Sequence, residues 1–375
     1  MRLLLDATAI PEDRGGVGRY VDALLPALAA EGVDLVVACQ ERDAAATSAL
    51  VPAAEVVPAP ARAASRGVRM AWEQVGLPRL VRSTRTQVLH SPHYTMPLSA
   101  GVPVTVTLHD ATFFSHPELH SPVKGRFFRA AVRGALRRGA SFVVPSAATR
   151  DEVLRYAGGS ADHFHVAHHG VDTSLFRPVE PAERRRVADT LGLAGRPYVG
   201  FLGTLEPRKN VPALVRGWAR AVAGLRTPPA LVLAGGPGWD TEVDPAIETV
   251  SREHADLQVV KAGYLPLGDL AGFLGGAEVV AYPSLGEGFG LPVLEAMACG
   301  AAVLTTRELS LPEVGGEAVA YCGTDAAEIA GGLTDLLADP ERRAHLAQAA
   351  VRRAAGFTWQ AAAQAHLRAY EQAMA

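Results

Sequence analysis

The stretch from Pro283 to Gly300, PSLGEGFGLPVLEAMACG, decides the predicted fold. The overlapping segment AEVVAYPS, which ends at residue 284, predicts a buried strand because it is a short apolar run next to a turn signal. The segment PVLEAMA predicts a helix, since it holds good helix formers with an apolar face, and Pro292 suits a first helical position. A glycine-rich turn separates the two segments. The predicted order is therefore strand, glycine loop, helix.

Two carboxylates stand eight residues apart in this stretch, Glu287 on the loop and Glu295 one turn inside the helix. The backbone amides around Phe289, Gly290 and Leu291 belong to a helix N-terminus, which is a ready anion site. Glu295 can accept hydrogen bonds from both hydroxyls of a ribose through its two oxygens. An anion site with a carboxylate at each edge suits a molecule with phosphates in the middle and hydroxyls at both ends, such as a nucleotide sugar.

The same stretch resembles the signature of the retaining glycosyltransferases of family 4, which have the GT-B fold. That signature is a Glu, seven residues and a second Glu, followed by Ala-Met-Ala-x-Gly. Four other segments resemble further elements of the family, in the same order along the chain. They are the glycine loop GGVGRY (Gly15–Tyr20), the His-Asp segment TLHDATFFSHPEL (Thr107–Leu119), the diphosphate-binding segment TLEPRKN (Thr204–Asn210) and the element SLPEVGG (Ser310–Gly316).

The resemblance implies a role for each matched residue. It places Arg208 and Lys209 at the donor diphosphate, Glu287 near the hydroxyls of the donor sugar, and His109 near that sugar from the N-terminal domain. These four are the candidate catalytic residues. The family is described by a front-side mechanism, in which the donor phosphate takes the proton of the acceptor and both bonds lie on one face of the sugar.

The residues themselves support the diphosphate role of Arg208 and Lys209. Charge on a diphosphate leaving group grows as the glycosidic bond breaks, so two cations stabilise the transition state more than the ground state. The alternative is a solvated start of the next helix. Two cations at a helix N-terminus oppose the helix dipole, which makes that alternative unattractive.

Alternatives stay open for His109 and Gly16. His109 ends an alternating strand, and its alternative is a wall histidine beside a capping aspartate. Gly16 follows the first strand and precedes a helix, where close approach of backbone to phosphate or acceptor competes with a simple turn. The third glycine of a dinucleotide fingerprint is absent there. Gly235 is predicted to give space near the nucleotide.

No metal or cofactor is expected. The sequence lacks an Asp-x-Asp triplet, which glycosyltransferases that hold the diphosphate through a metal generally need. Arg208 and Lys209 can replace the metal. Four histidines near the predicted linker invite a zinc interpretation, but a linker strand explains them better. They are His163, His165, His168 and His169.

The chain of 375 residues predicts two domains of the α/β class. Residues 1–178 are predicted as an N-terminal Rossmann-like domain on the acceptor side and 179–357 as a C-terminal Rossmann-like domain on the donor side. The resemblance makes 358–375 a helix that crosses back to the N-terminal domain. The stretch His168–Pro181 is predicted as the linker. Two doubly wound parallel sheets that face each other across a cleft make the GT-B architecture.

Alternating apolar runs and helical segments support this division, and each motif follows a predicted strand, where such sheets bind ligands. Strands are predicted near Leu3–Asp6, Val33–Cys39, Gln87–His90, Val102–Leu108, Phe142–Pro145, Tyr198–Gly203, Ala230–Ala234, Gln258–Lys261, Glu278–Pro283 and Ala302–Thr305. In the first half, helices are predicted near Val17–Ala30, Gly67–Ser83, Val123–Arg138 and Ala147–Ala157.

Composition limits partners and location. A net charge of −3 does not indicate nucleic-acid binding, and no apolar run is long enough for a membrane span. The apolar stretch at the N-terminus is too short for a signal peptide. Three widely spaced cysteines favour a reducing compartment. We expect a cytoplasmic enzyme. Arginines at helical spacing in Val123–Arg138 also allow peripheral contact with an anionic membrane.

The expected activity is retaining transfer of a hexose from a nucleoside-diphosphate sugar to a hydroxyl of a glycan, glycolipid or small-molecule acceptor. GDP-mannose is favoured because HSPHYTMP (His90–Pro97) and the His-Asp segment resemble mannosyltransferases and related hexosyltransferases. The alternative is a UDP-sugar, UDP-GlcNAc or UDP-glucose, in natural-product or cell-envelope biosynthesis. A GT-B sugar phosphorylase or epimerase is more distant, since a phosphorylase needs a lysine for pyridoxal phosphate and the chain has only three lysines.

Overall fold

The computed structural model describes residues 1–12 and 14–375. Within them the chain divides into two compact units. The first unit is Met1–Gly170 together with Thr358–Ala375, and the second is Val171–Phe357. The division after Gly170 lies inside the segment predicted as the linker and replaces the predicted boundary at residue 178.

The first unit contains a seven-stranded parallel sheet with the strand order β3-β2-β1-β4-β5-β6-β7. Its strands are β1 Arg2–Asp6, β2 Asp34–Cys39, β3 Glu55–Pro58, β4 Val88–Ser91, β5 Val104–Thr107, β6 Ser141–Val144 and β7 Phe164–Val166. Its first helices are α1 Gly15–Ala30, α2 Ala44–Leu50, α3 Arg66–Ser83, α4 Thr112–Ser115, α5 Pro122–Leu136 and α6 Ala147–Ala157.

The second unit contains a six-stranded parallel sheet with the order β10-β9-β8-β11-β12-β13. Its helices are α7 Pro181–Thr190, α8 Val211–Val222, α9 Val243–Glu253, α10 Leu270–Gly276, α11 Leu291–Ala298, α12 Leu311–Gly315, α13 Ala326–Ala338 and α14 Pro340–Ala354. Its strands are β8 Tyr198–Leu202, β9 Ala230–Ala234, β10 Val259–Gly263, β11 Val279–Tyr282, β12 Val303–Thr306 and β13 Ala320–Cys322.

The last helix, α15 Trp359–Met374, belongs to the first unit. Hydrogen bonds between buried side chains fix it there. His366 Nε2 lies 2.6 Å from the hydroxyl of Tyr20 on α1, and the hydroxyl of Tyr370 lies 2.9 Å from His90 Nδ1 on β4. Because these polar groups are buried, each needs its partner.

Both sheets are covered on their two faces, which explains why the central strands β1 and β11 carry uninterrupted apolar runs. Leu3, Leu4 and Leu5 of β1 have no exposed surface, and Val279 to Tyr282 of β11 are at most 1% exposed. These runs made the central strands predictable. The two parallel sheets with helices confirm the predicted fold class.

Two strands, β3 and β13, were not predicted, and β7 falls in the segment that was interpreted only as a linker strand. Each lies at an edge of its sheet. An edge strand is short and only partly covered, so it lacks the apolar run that reveals a central strand. The burial of β3 shows this, because none of its four residues is fully buried.

The strand order reverses at β1 and β4 in the first sheet, and at β8 and β11 in the second. Neighbouring strands on the two sides of such a point send their connections to opposite faces, which leaves a crevice at the carboxyl ends. These two crevices position the polar clusters described below.

Candidate functional site

The carboxyl ends of β8 and β11 carry the candidate donor site. Arg208 and Lys209 lie in a 3₁₀ turn after β8, directly before α8. The next residue, Asn210, has a left-handed backbone with φ of 58°, which asparagine tolerates better than most residues. Its side-chain amide donates to the carbonyls of Pro283 at 3.2 Å and Thr324 at 2.7 Å. These bonds join the turn after β8 to the loop after β11.

Glu287 is the centre of this site. Its Oε1 accepts hydrogen bonds from Lys209 Nζ at 2.7 Å, Ser284 Oγ at 2.6 Å and the Tyr282 hydroxyl at 3.0 Å. Its Oε2 lies 2.5 Å from Arg208 Nη1. The residue is only 6% exposed. Four donors therefore hold this buried carboxylate in one place.

Both cations are also enclosed. Lys209 Nζ hydrogen-bonds to the Tyr282 hydroxyl and lies 4.9 Å from the centre of that ring. Arg208 donates to the Gly286 carbonyl and to Glu206 Oε1, each at 2.7 Å. Glu206 Oε1 also lies 3.9 Å from Lys209 Nζ. Two carboxylates thus face two cations within one network.

The charges in this network set the pKa of each member. Burial favours the neutral form of Glu287, but Arg208 and Lys209 outweigh it and lower the pKa of that carboxyl to about 2. Burial lowers the pKa of Lys209, and Arg208 lowers it further against the attraction of Glu287 and Glu206. Burial, followed by Glu287, raises the pKa of Tyr282 well above its usual range. Glu287 is therefore ionised and Tyr282 is a neutral donor.

The helix that follows the loop begins as the sequence predicts. Gly290 precedes α11 with φ of 98°, and a Cβ there would lie 2.9 Å from Leu311 Cδ2. Glycine is needed for both reasons. Leu291 begins the helix, which places Pro292 at its second position rather than its first. Glu295 is 1% exposed, one turn inside the helix.

Comparison with known proteins identifies the family of this chain. The model of Glycosyltransferase Family 4 matches residues 14–175, and that of Glycosyl transferases group 1 matches residues 185–353. The O-antigen chain mannosyltransferase B of Escherichia coli is 30% identical over 81% of this chain and 77% of its own. The chain belongs to glycosyltransferase family 4.

Other similar proteins agree with this. A D-inositol 3-phosphate glycosyltransferase of Arthrobacter sp. (strain FB24) is 29% identical over 96% of this chain and 91% of its own. The crystal structure of HepE from Anabaena, in complex with UDP and glucose, has a TM-score of 0.77. It is 20% identical and covers 99% of this chain and 100% of its own, so it shows the shared GT-B fold. The predicted family and fold are confirmed.

His109 of this glycosyltransferase lies in the first unit, at the end of β5. Its Nε2 is 2.7 Å from the carbonyl oxygen of Pro92. A carbonyl only accepts, so Nε2 carries the proton. Burial lowers the pKa of the ring, although Pro92 and Asp110 oppose this. The neutral ring therefore keeps Nδ1 as an acceptor, and its role at the donor sugar stays a prediction.

The two candidate glycines differ in what the fold requires. A Cβ at Gly235 would lie 2.2 Å from the Gly203 carbonyl oxygen, and its φ of 127° is rare for other residues. Packing between the ends of β8 and β9 thus explains Gly235 without a ligand. A Cβ at Gly16 would meet no atom within 4 Å. The fold supplies no such reason for Gly16, and a ligand role stays a prediction for both.

A second polar cluster, at the carboxyl ends of β1 and β4, was not predicted. Arg69 Nη1 pairs with the buried Glu73 at 2.9 Å. Burial, reinforced by Glu73, raises the pKa of Asp6 to about 6. Ser91 Oγ and His93 Nδ1 line the same crevice and have no hydrogen-bond partner among the described residues. These two groups make the cluster a candidate site for hydroxyl groups.

Within residues 1–12 and 14–375 no group of three or more His, Cys, Asp or Glu side chains is arranged to hold a metal ion. No helix within them is both long and apolar enough to cross a bilayer.

Sequence reasoning missed three members of this network: Glu206, Tyr282 and Ser284. Tyr282 and Ser284 come at the end of the strand AEVVAYPS, where the prediction considered only burial. Glu206 stands two positions before Arg208, and an acid so close to a predicted cation was the available signal. The structure brings Arg208, Lys209 and Glu287 together as one network.

Proposed function

We propose that this glycosyltransferase moves a hexose, with retention, from a nucleoside-diphosphate sugar to a hydroxyl of a glycan, glycolipid or small-molecule acceptor. The observation that carries the proposal is the network of Arg208, Lys209 and Glu287 at the carboxyl ends of β8 and β11. Two buried cations beside a helix N-terminus suit a diphosphate. GDP-mannose is the favoured donor, supported by similarity to a mannosyltransferase.

The bonds and protons of the proposed step balance. The bond from the sugar C1 to the diphosphate oxygen breaks, and a bond from C1 to the acceptor oxygen forms on the same face. The acceptor proton passes to the departing phosphate. Arg208 and Lys209 neutralise the charge that develops there, and Glu287 positions the sugar hydroxyls.

Two further roles complete the proposal. Glu295 binds the ribose hydroxyls, because it lies one turn into the helix whose N-terminus faces the diphosphate. The acceptor binds the first unit, supported by the cluster of Asp6, Ser91 and His93 at the switch of its sheet.

A UDP-sugar is the second candidate donor. The observation in its favour is the UDP and glucose bound to the HepE structure, which shares this fold. A phosphorylase is less favoured, because Lys209 is committed to Glu287 and Lys261 to Asp244, leaving Lys124 as the third lysine of the chain.

The donor and its metal dependence can be tested in one screen. We expect one of GDP, UDP, dTDP and ADP to raise the melting temperature, since a ligand that binds only the folded state stabilises it. The shift should persist in excess EDTA because protein cations hold the diphosphate. No shift with any nucleotide would contradict the proposed function. A shift lost in EDTA and restored by Mg²⁺ would contradict metal independence alone.

We also propose that α5 makes peripheral contact with an anionic membrane. Val123 is 78% exposed and Phe127 39%, and Lys124 and Arg126 are exposed beside them. Apolar side chains flanked by cations are typical of a helix that lies on a lipid surface. We expect sedimentation with vesicles that contain anionic lipid, and a loss of it in Phe127→Glu. Equal sedimentation of both proteins would exclude α5 as the contact.

A further inference from the structure

The charges of the donor site balance before any ligand arrives. Arg208 and Lys209 contribute two positive charges, and Glu206 and Glu287 contribute two negative charges within 4 Å of them. A diphosphate brings further negative charge to this site. Two acids and a diphosphate around two cations would repel each other, so one carboxylate has to give way.

The contacts of the two acids differ in number. Glu287 is held by Arg208, Lys209, Tyr282 and Ser284, and its own carbonyl accepts from Ser310 Oγ at 2.7 Å. Moving it would break several bonds inside the protein.

Among the described residues, the side chain of Glu206 hydrogen-bonds to Arg208 alone, and its ion pair with Lys209 is long at 3.9 Å. Its side chain is 15% exposed, about twice the 8% of Glu287. Glu206 is therefore the carboxylate that moves at lower free-energy cost.

We propose that Glu206 is an internal competitor of the donor diphosphate for Arg208. In the free enzyme its Oε1 accepts the hydrogen bond from Arg208 Nη2. The diphosphate displaces it from this position. After transfer, the return of Glu206 to Arg208 weakens the hold on the nucleoside diphosphate and speeds its release. This inference rests on the proposed function, since it assigns a further residue to the same site.

The test compares Glu206→Gln with the wild type by calorimetry. The probes are inorganic pyrophosphate, which needs no knowledge of the base, and the nucleoside diphosphate found in the screen. Loss of the competing charge should lower the dissociation constant of both about three- to tenfold, as expected for a partly exposed ion pair. If product release limits turnover, kcat should fall together with KM.

The matched control is Glu278→Gln. Glu278 pairs with Arg343 at 2.6 Å in the same unit and is not part of the site. This substitution removes the same charge at a distance from the site. The dissociation constants of the variant should therefore equal those of the wild type. The melting temperature of each free variant shows whether it folds, and Glu206→Ala provides a second variant without the carboxylate.

The possible outcomes separate the two proposals. Unchanged or weaker binding by both Glu206 variants, with binding by the wild type, overturns the competitor role and leaves the proposed function standing. Of these two outcomes, weaker binding would mean that Glu206 orients Arg208 toward the ligand. If Glu278→Gln binds diphosphate as tightly as the Glu206 variants, the effect comes from overall charge. This result would also overturn the competitor role. No binding of any diphosphate by any of these proteins overturns both proposals.

Discussion

Replacing Lys209 with alanine is expected to lower turnover about 10²–10³-fold while the protein stays folded. In the proposed mechanism Lys209 Nζ meets the diphosphate where negative charge grows during bond cleavage, so its loss raises the barrier rather than only weakening binding. Glu287 keeps Arg208, Ser284 and Tyr282 as partners in this variant, which preserves the local structure. The measurement is kcat at saturating donor, with circular dichroism to check the fold.

Lys261→Ala is the matched control for this prediction. Lys261 belongs to the same unit and pairs with Asp244 at 2.6 Å, but both side chains are exposed. Turnover of this variant should equal that of the wild type. Near-normal turnover of Lys209→Ala at saturation would remove Lys209 from the catalytic assignment.

Lys209→Arg should restore only part of the activity. The ammonium fits between Glu287 and the face of the Tyr282 ring, and the side chain is 9% exposed. A planar guanidinium has a different donor geometry and needs more room. Full activity in this variant would show that charge alone matters at this position.

The local structure of the candidate donor site was predictable where it depends on adjacent residues. The order strand, glycine loop, helix in Pro283–Gly300 follows from local patterns, and β11 and α11 lie where those patterns placed them. Arg208 and Lys209 were predicted to face a ligand, yet in the structure they face Glu287, which lies in a loop 78 residues away. That pairing depends on β8 and β11 being neighbours, and no local pattern specifies it.

The polar cluster of the first unit shows the same limit. Asp6, Glu73 and Ser91 come from β1, α3 and β4, and each alone has an ordinary sequence context. Only the sheet order, with β1 next to β4, brings their segments to one crevice. The edge strand β3 was missed for a different reason, since half-covered strands carry weak apolar patterns.

The pairing of Glu287 with both cations changes what its removal is expected to do. A carboxylate that only bound sugar hydroxyls could be deleted without harm to the fold. Glu287→Ala instead leaves a buried and a largely buried cation without their main counter-charge, since Lys209 and Arg208 are 9% and 13% exposed. We expect the free energy of unfolding to fall by about 3–5 kcal/mol, as in other buried ion pairs that lose one partner.

The pH dependence of stability tests this charge pairing independently. The pKa of Glu287 is about 2 in the folded protein against an ordinary value of 4.5. Its ionised form therefore stabilises the fold above pH 4.5, and this contribution is lost as the pH falls toward 2. In Glu287→Gln that part of the acid sensitivity should disappear. Unfolding by urea at several pH values measures it.

Ligand binding distinguishes this role from one in nucleotide recognition. Glu295→Ala should raise the dissociation constant of the nucleoside diphosphate about ten- to hundredfold, because a hydroxyl bound to a charged group contributes about 1.5–3 kcal/mol. Glu287→Ala should not weaken that affinity, since the diphosphate itself can neutralise the cations that the substitution leaves unpaired, yet it should lose transfer. Pyrophosphate should then restore part of its lost stability. If Glu287→Ala is as stable as the wild type, or loses nucleotide affinity as Glu295→Ala does, the carboxylate is not the counter-charge that organises this site.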